Sequence, residues 1–171
     1  KLYGYLVQYK DIFHITDTTL QEIETIIREK IKNDNIILLN PTIENILNDE
    51  IYKLDYKNET YYVPLWHDEL TYDISNASLI IKCVPNFPDH IYIDENNNLH
   101  VNISISKTSL FERKEIITKV GKDEYKIPLS KLYIKKTQIY IFGRCGIPLI
   151  CTKDIYNISE RGSVIFHIEI T

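Results

Sequence analysis

Methionine is absent, and glycine occurs only 5 times in 171 residues. So few glycines leave no material for a Gly-rich phosphate cradle, and neither a GxSxG elbow nor a cysteine-nucleophile signature occurs. The cysteines, Cys83, Cys145 and Cys151, are odd in number and contain no CxxC pair. Neither a disulfide framework nor a zinc cage is signalled; buried reduced thiols are expected, with a Cys145–Cys151 bridge as the alternative. No apolar run reaches the roughly 20 residues that a bilayer-spanning helix needs, and no secretory leader pattern is present. An excess of basic residues is missing too: the net charge is -4 and the pI near 5.7, so no nucleic-acid face is expected. The five histidines, His14, His67, His90, His100 and His167, lack metal-ligand spacing such as HExxH. His67-Asp68-Glu69 reads as a solvated turn rather than half of a catalytic dyad. These absences argue against an enzyme, a bound metal or a cofactor. Starting at Lys1 without methionine, the chain is expected to be a fragment of a longer protein.

What is present is a hydrophobic share of 44%, enough for one globular body or two small ones. Thr16-Asp17-Thr18-Thr19 ahead of Gln21 and Glu22 is capping-box chemistry. Leu20, Ile23, Ile26, Ile27 and Ile31 follow at helical spacing, so an amphipathic helix is expected over residues 17–32. Strands dominate after that. Residues 99–105 alternate strictly between apolar and polar, and 164–170 put Phe166, Ile168 and Ile170 on one face with His167 and Glu169 on the other. Further strands are expected at 36–39, 61–65, 79–84 and 138–142. The polar run 94–98 is the best place for a domain boundary.

The chain also repeats itself. At an offset of 64 residues, Ile37 and Leu39 fall on Val101 and Ile103, Ile46-Leu47 on Leu110-Phe111, and Tyr61, Val63, Pro64 and Leu65 on Tyr125, Ile127, Pro128 and Leu129. At an offset of 85, residues 78–81 fall on 163–166, so the second copy holds about 21 extra residues, among them the turn-rich loop 143–148. Each copy reads strand, short helical turn (42–47 and 107–111), strand, charged turn, strand. The expected fold is mostly β: two tandem small β-barrel or sandwich lobes, each with a short helical turn, preceded by one amphipathic helix. The lobes would cover residues 34–93 and 94–171, after an N-terminal segment of 1–33.

Pro41-Thr42-Ile43-Glu44-Asn45-Ile46-Leu47 resembles the "V-S-L-E-E-L-x-x-G" turn in the C-terminal half of the DnaJ family, the forty-kilodalton heat-shock co-chaperones. Residues 104–110 resemble its second-lobe counterpart, Asn98-Leu99-His100-Val101 the "D-D-L-x-V" strand, residues 143–148 the "G-x-G-L-P" loop, and Arg161-Gly162-Ser163-Val164-Ile165 the "R-G-D-L-x" strand opening. The resemblance spans residues 34–171 and is to the zinc-finger-less type, in a divergent form reminiscent of a large DNA virus with an AT-rich genome. There are departures. No His-Pro-Asp triplet occurs (Pro88-Asp89-His90 has another order), and no Gly/Phe-rich linker precedes the lobes. The chain simply turns at 57–60, where a zinc insertion would sit, and Trp66 to Tyr72 replace a Gly-containing stretch. The family's dimerising segment follows the last strand, so this fragment is expected to be monomeric.

The resemblance implies a cytoplasmic binding module rather than an enzyme. It would hold extended apolar segments of unfolded clients, and the acidic C-terminal tail of a seventy-kilodalton chaperone, on the strand after the first helical turn. Here that strand is residues 51–57. Alternation puts Tyr52, Leu54 and Tyr56 on one face and Lys53 and Asp55 on the other, while Lys57 is placed to meet a carboxylate. The matching second-copy positions, Ile116, Thr118 and Val120, are less aromatic, which favours the first copy as the binding site. The competing reading is a structural or adhesion-type β protein, viral or secreted. It rests on four Asn-x-Ser/Thr sequons, at Asn58, Asn76, Asn102 and Asn157.

Overall fold

The computed structural model describes residues 16, 18, 19, 21–23, 25, 35–74, 77–111 and 113–171. Most of the helix expected over 17–32 lies outside these residues. The described ones at 18, 19, 21–23 and 25 are helical, and the Thr16 hydroxyl accepts the Thr19 amide at 3.2 Å, as an N-cap does.

The protein is mostly β, as expected, and its sheets are open rather than closed into a barrel. In chain order the elements are β1 (Asn35–Leu39), α1 (Ile43–Leu47), β2 (Ile51–Tyr56), β3 (Glu59–Pro64), β4 (Glu69–Ile74), β5 (Ala77–Cys83), β6 (Ile91–Ile93), β7 (Leu99–Ile105), α2 (Lys107–Phe111), β8 (Glu115–Val120), β9 (Asp123–Pro128), β10 (Thr137–Phe142) and β11 (Val164–Ile170). Among the described residues no helix is long and apolar enough to cross a membrane.

The repeat is written into the backbone. α1, β2 and β3 become α2, β8 and β9 when 64 is added to every boundary. The hairpin register moves with them: Ile51 faces Pro64, and Glu115 faces Pro128. Leu65 N donates to Glu50 O, and 64 residues later Leu129 N donates to Lys114 O. The flanking strands correspond as well, in the orders β1-β5-β4 and β7-β11-β10. Asn86 N bonds to Pro41 O at 3.1 Å, and Thr171 N to Ile105 O at 2.9 Å, the same pair displaced by 85 and 64.

The described residues fall into two compact units that cut across the copies: those up to residue 37 with 69–82, and those of 38–68 with 83–171. In the first, β4 and β5 pair antiparallel, bury Leu70, Leu79 and Ile81, and join Glu69 to Lys82 at 3.1 Å. The second holds the four-stranded sheet β10-β11-β7-β6, with β11 parallel to β7, and both hairpins. Its core takes Leu99 and Val101 from β7, Val164, Phe166 and Ile168 from β11, Ile116, Val120, Tyr125 and Ile127 from the second hairpin, and Ile43 and Ile46 from α1. Each such side chain contributes about 1.5–3 kcal/mol when fully buried. Tyr125, Phe142 and Phe166 meet edge-on or tilted, with centroids 5.3–5.7 Å apart.

The loop motifs are structural. Gly146 N donates to Gly162 O and Gly162 N to Ile147 O, closing the 143–148 loop onto residues 160–162. Arg161 donates to Gly146 O at 2.9 Å and forms an ion pair with Asp49. A β-carbon on Gly162 would lie 2.3 Å from Asn97 O, so only glycine fits there. The 94–98 run is the tight turn between paired strands β6 and β7. Asn97 within it is buried and donates to Trp66 O and Pro148 O.

Candidate functional site

β2 lies in a two-stranded hairpin with β3, and among the described residues its outer edge has no strand partner. Tyr52, Leu54 and Tyr56 face Val63, Tyr61 and Glu59 across the hairpin, all on one face as alternation requires. Tyr52 is 45% exposed, while Leu54 and Tyr56 are half-buried. Lys53 and Asp55 share the opposite face and pair at 3.7 Å. Thr60, opposite Asp55, donates its hydroxyl to that carboxylate at 2.6 Å.

Lys57 occupies the hairpin turn. Lys57 and Asn58 both have positive φ, 50° and 65°, the pattern of a type I′ turn. The Lys57 ammonium lies over the Tyr56 ring, 5.2 Å from its centroid, a weak cation–π contact at this exposed site. The structure thus brings Tyr52, Leu54, Tyr56 and Lys57 together along one edge. Tyr61 donates to Glu59 at 2.8 Å, and this bond, burial and the Glu59 charge all raise its phenol pKa above the ordinary value.

Sequence reasoning missed the other face of this hairpin. Ile51 and Tyr62 are 46% and 54% exposed there, and the Tyr62 carbonyl accepts the hydroxyl of Tyr156 at 3.0 Å. Tyr156 belongs to the 21 extra residues of the second copy and lies 94 positions away, so no local pattern connects the two.

His67 corrects an expectation. It is buried rather than solvated, and its Nε2 lies 3.0 Å from Ile155 O. Burial lowers its pKa from the ordinary value, against the opposing pull of the Ile155 carbonyl and Asp68. It shares a cleft of about 300 Å³ with Trp66 and Cys83, whose thiol burial pushes up to about 11. Such a thiol is protonated and inert at neutral pH. The other cysteines are free thiols, as expected, but Cys145 is exposed and Cys151 half-exposed rather than buried. Among the described residues no three His, Cys, Asp or Glu side chains converge on a point that would hold a metal ion.

No protein-family model matches the chain, and no curated protein is similar enough to match it.

Proposed function

We propose that the chain is the client-binding region of a DnaJ-type co-chaperone, working in the cytoplasm, that of the host if the protein is viral. It holds extended apolar segments of unfolded proteins for delivery to a seventy-kilodalton chaperone and performs no chemistry of its own. The observation that carries this reading is the open edge of β2, flanked by Tyr52, Leu54 and Tyr56.

A client segment adds its backbone to that edge as a further strand and places alternate side chains on the aromatic face. Backbone bonding gives affinity without regard to sequence, and tyrosine gives a large contact area whose polar tip tolerates water. An exposed apolar edge strand otherwise invites aggregation; capturing peptides gives that liability a use. The first-copy preference has support in burial. Ile116 and Val120, which match Tyr52 and Tyr56, are core residues, so the second hairpin has no such face to offer. The repeat of strand, helical turn and hairpin accords with the resemblance. The acidic tail of the partner chaperone would meet Lys57.

The test is fluorescence anisotropy with two labelled peptides, an extended apolar segment and an acidic segment ending Glu-Glu-Val-Asp. Both are expected to bind with micromolar affinity. Leu54→Asp and the more exposed Tyr52→Asp, each shown to be folded by circular dichroism, are expected to lose that binding. Absence of binding by the parent chain, or unchanged binding by both folded variants, would overturn the proposal.

A further inference from the structure

Three rings cluster across β6, β7 and β11. Tyr92 faces His100 across the β6–β7 pair, and their rings stack at 4.5 Å and 6°. The His100 and His167 rings are near parallel, with centroids 5.1 Å apart and an angle of 19°, and meet edge to edge. His100 Nδ1 lies 2.8 Å from His167 Nε2, and His100 Nε2 lies 3.3 Å from Asp94 Oδ2. The Asp94 carboxylate is itself held by the Asn96 and Asn98 amides at 2.9 and 2.8 Å and by the Asn98 side chain at 2.9 Å.

One arrangement of hydrogens satisfies the cluster. An ionised carboxylate only accepts, so His100 carries its hydrogen on Nε2. Its Nδ1 is then an acceptor, so His167 carries its hydrogen on Nε2. A first added proton goes to Nδ1 of His167 and leaves both contacts intact. A second must go to His100 Nδ1, where it meets the N–H of His167. Two donors then face each other at a contact of 2.8 Å, and two cations lie side by side.

We propose that Asp94, His100 and His167 form an acid-sensitive latch on the β7–β11 seam, which accepts one proton and is released by the second. The seam is the parallel pair at the middle of the four-stranded sheet. The charged surroundings are few. Lys131 and Lys135 line the cleft that His167 also lines, and Glu169, two residues along β11, lines it as well. Glu169 is paired with Lys136 at 3.5 Å. β10 presents Thr137, Gln138 and Ile139 to this cleft and no charge. β6 presents Tyr92, and the loop before it carries exposed Asp89 and His90. Burial, followed by the nearby His100, lowers the His167 pKa from the ordinary 6.5. For Asp94, burial pushes the carboxyl up, but its hydrogen bonds outweigh this and leave it below the ordinary value. A depressed imidazole pKa means that stability is present above pH 6.5 and lost as the pH falls.

The test is nitrogen-15 spectroscopy of the histidine rings, with native-state amide exchange across residues 99–105. At about pH 7.5 both rings are expected to carry hydrogen on Nε2 alone. On acidification the pair is expected to protonate in two separated steps. Exchange along β7, corrected for its intrinsic pH dependence, is expected to rise about tenfold or more with the second step only. His167→Gln keeps a donor for His100 Nδ1 but gains no proton, so its seam should stay protected through that range. Both histidines titrating independently in the parent, or a folded His167→Gln variant opening at the parent's pH, would overturn the latch.

Discussion

The two helical turns hold the same place in the repeat and start the same way. Thr42 accepts the Asn45 amide at 3.3 Å, and Ser106 accepts the Ser109 amide at 3.3 Å. Yet α1 buries Ile43 and Ile46, while α2 only half-buries Leu110 and leaves Phe111 91% exposed. The sequence makes part of this difference, since Lys107 stands where Ile43 stands, although Ile46-Leu47 and Leu110-Phe111 are both apolar pairs. What lies on top makes the rest. The turn of the second hairpin rests on α1: a β-carbon on Gly121 would sit 3.5 Å from both Glu44 and Leu47. α2 instead borders an open cleft of about 660 Å³, lined by Leu129, Leu132, Tyr133, Ile134 and the end of β11. Burial here is a property of the neighbour as much as of the segment.

The comparison can be broken most severely at matched core positions. Ile46→Ala is expected to cost about 3 kcal/mol in urea unfolding, and Leu110→Ala about 1 kcal/mol or less, because only the first leaves a cavity in packed surroundings. Equal losses would mean that α2 is covered in solution. An intermediate effect is expected from pH. His67 is buried, whereas position 131, which matches it at an offset of 64, is an exposed lysine. Because burial lowers the His67 pKa, the unfolded chain takes a proton that the folded one resists. Stability should therefore be full above pH 6.5 and fall as the pH drops below it. His67→Gln should flatten that fall in the urea midpoint, and Lys131→Gln should leave it unchanged. The smallest difference is expected at the caps. Thr42→Ala should cost about 1 kcal/mol, since it dismantles a reciprocal pair with Asn45, and Ser106→Ala about half of that. A larger loss at Ser106 would show that α2 does more than its exposure indicates.

Much of this was legible in the residues. Alternation located β7, β10 and β11, and the 64-residue offset located both helical turns and gave each copy its strand–turn–strand order. It also set Tyr52, Leu54 and Tyr56 on one face. What escaped was decided by distant partners. β4, Glu69–Ile74, was not among the expected strands although Leu70, Tyr72 and Ile74 alternate with polar residues, and its pairing with β5 reveals it. His67 looked solvated beside two acids, yet a carbonyl 88 residues away receives it. The 94–98 run read as a boundary by composition, but buried Asn97 ties it to positions 31 and 51 residues distant. Local chemistry predicts a turn in such cases; it does not predict what the turn will be packed into.

Gly121 carries one more consequence. With φ +60° it opens a tight turn with no side chain, which lets the hairpin of one copy settle onto the helix of the copy before it. A module that roofs its predecessor gives a duplicated chain a direction of growth. The second copy thus covers the helix of the first, and the contact runs one way along the chain.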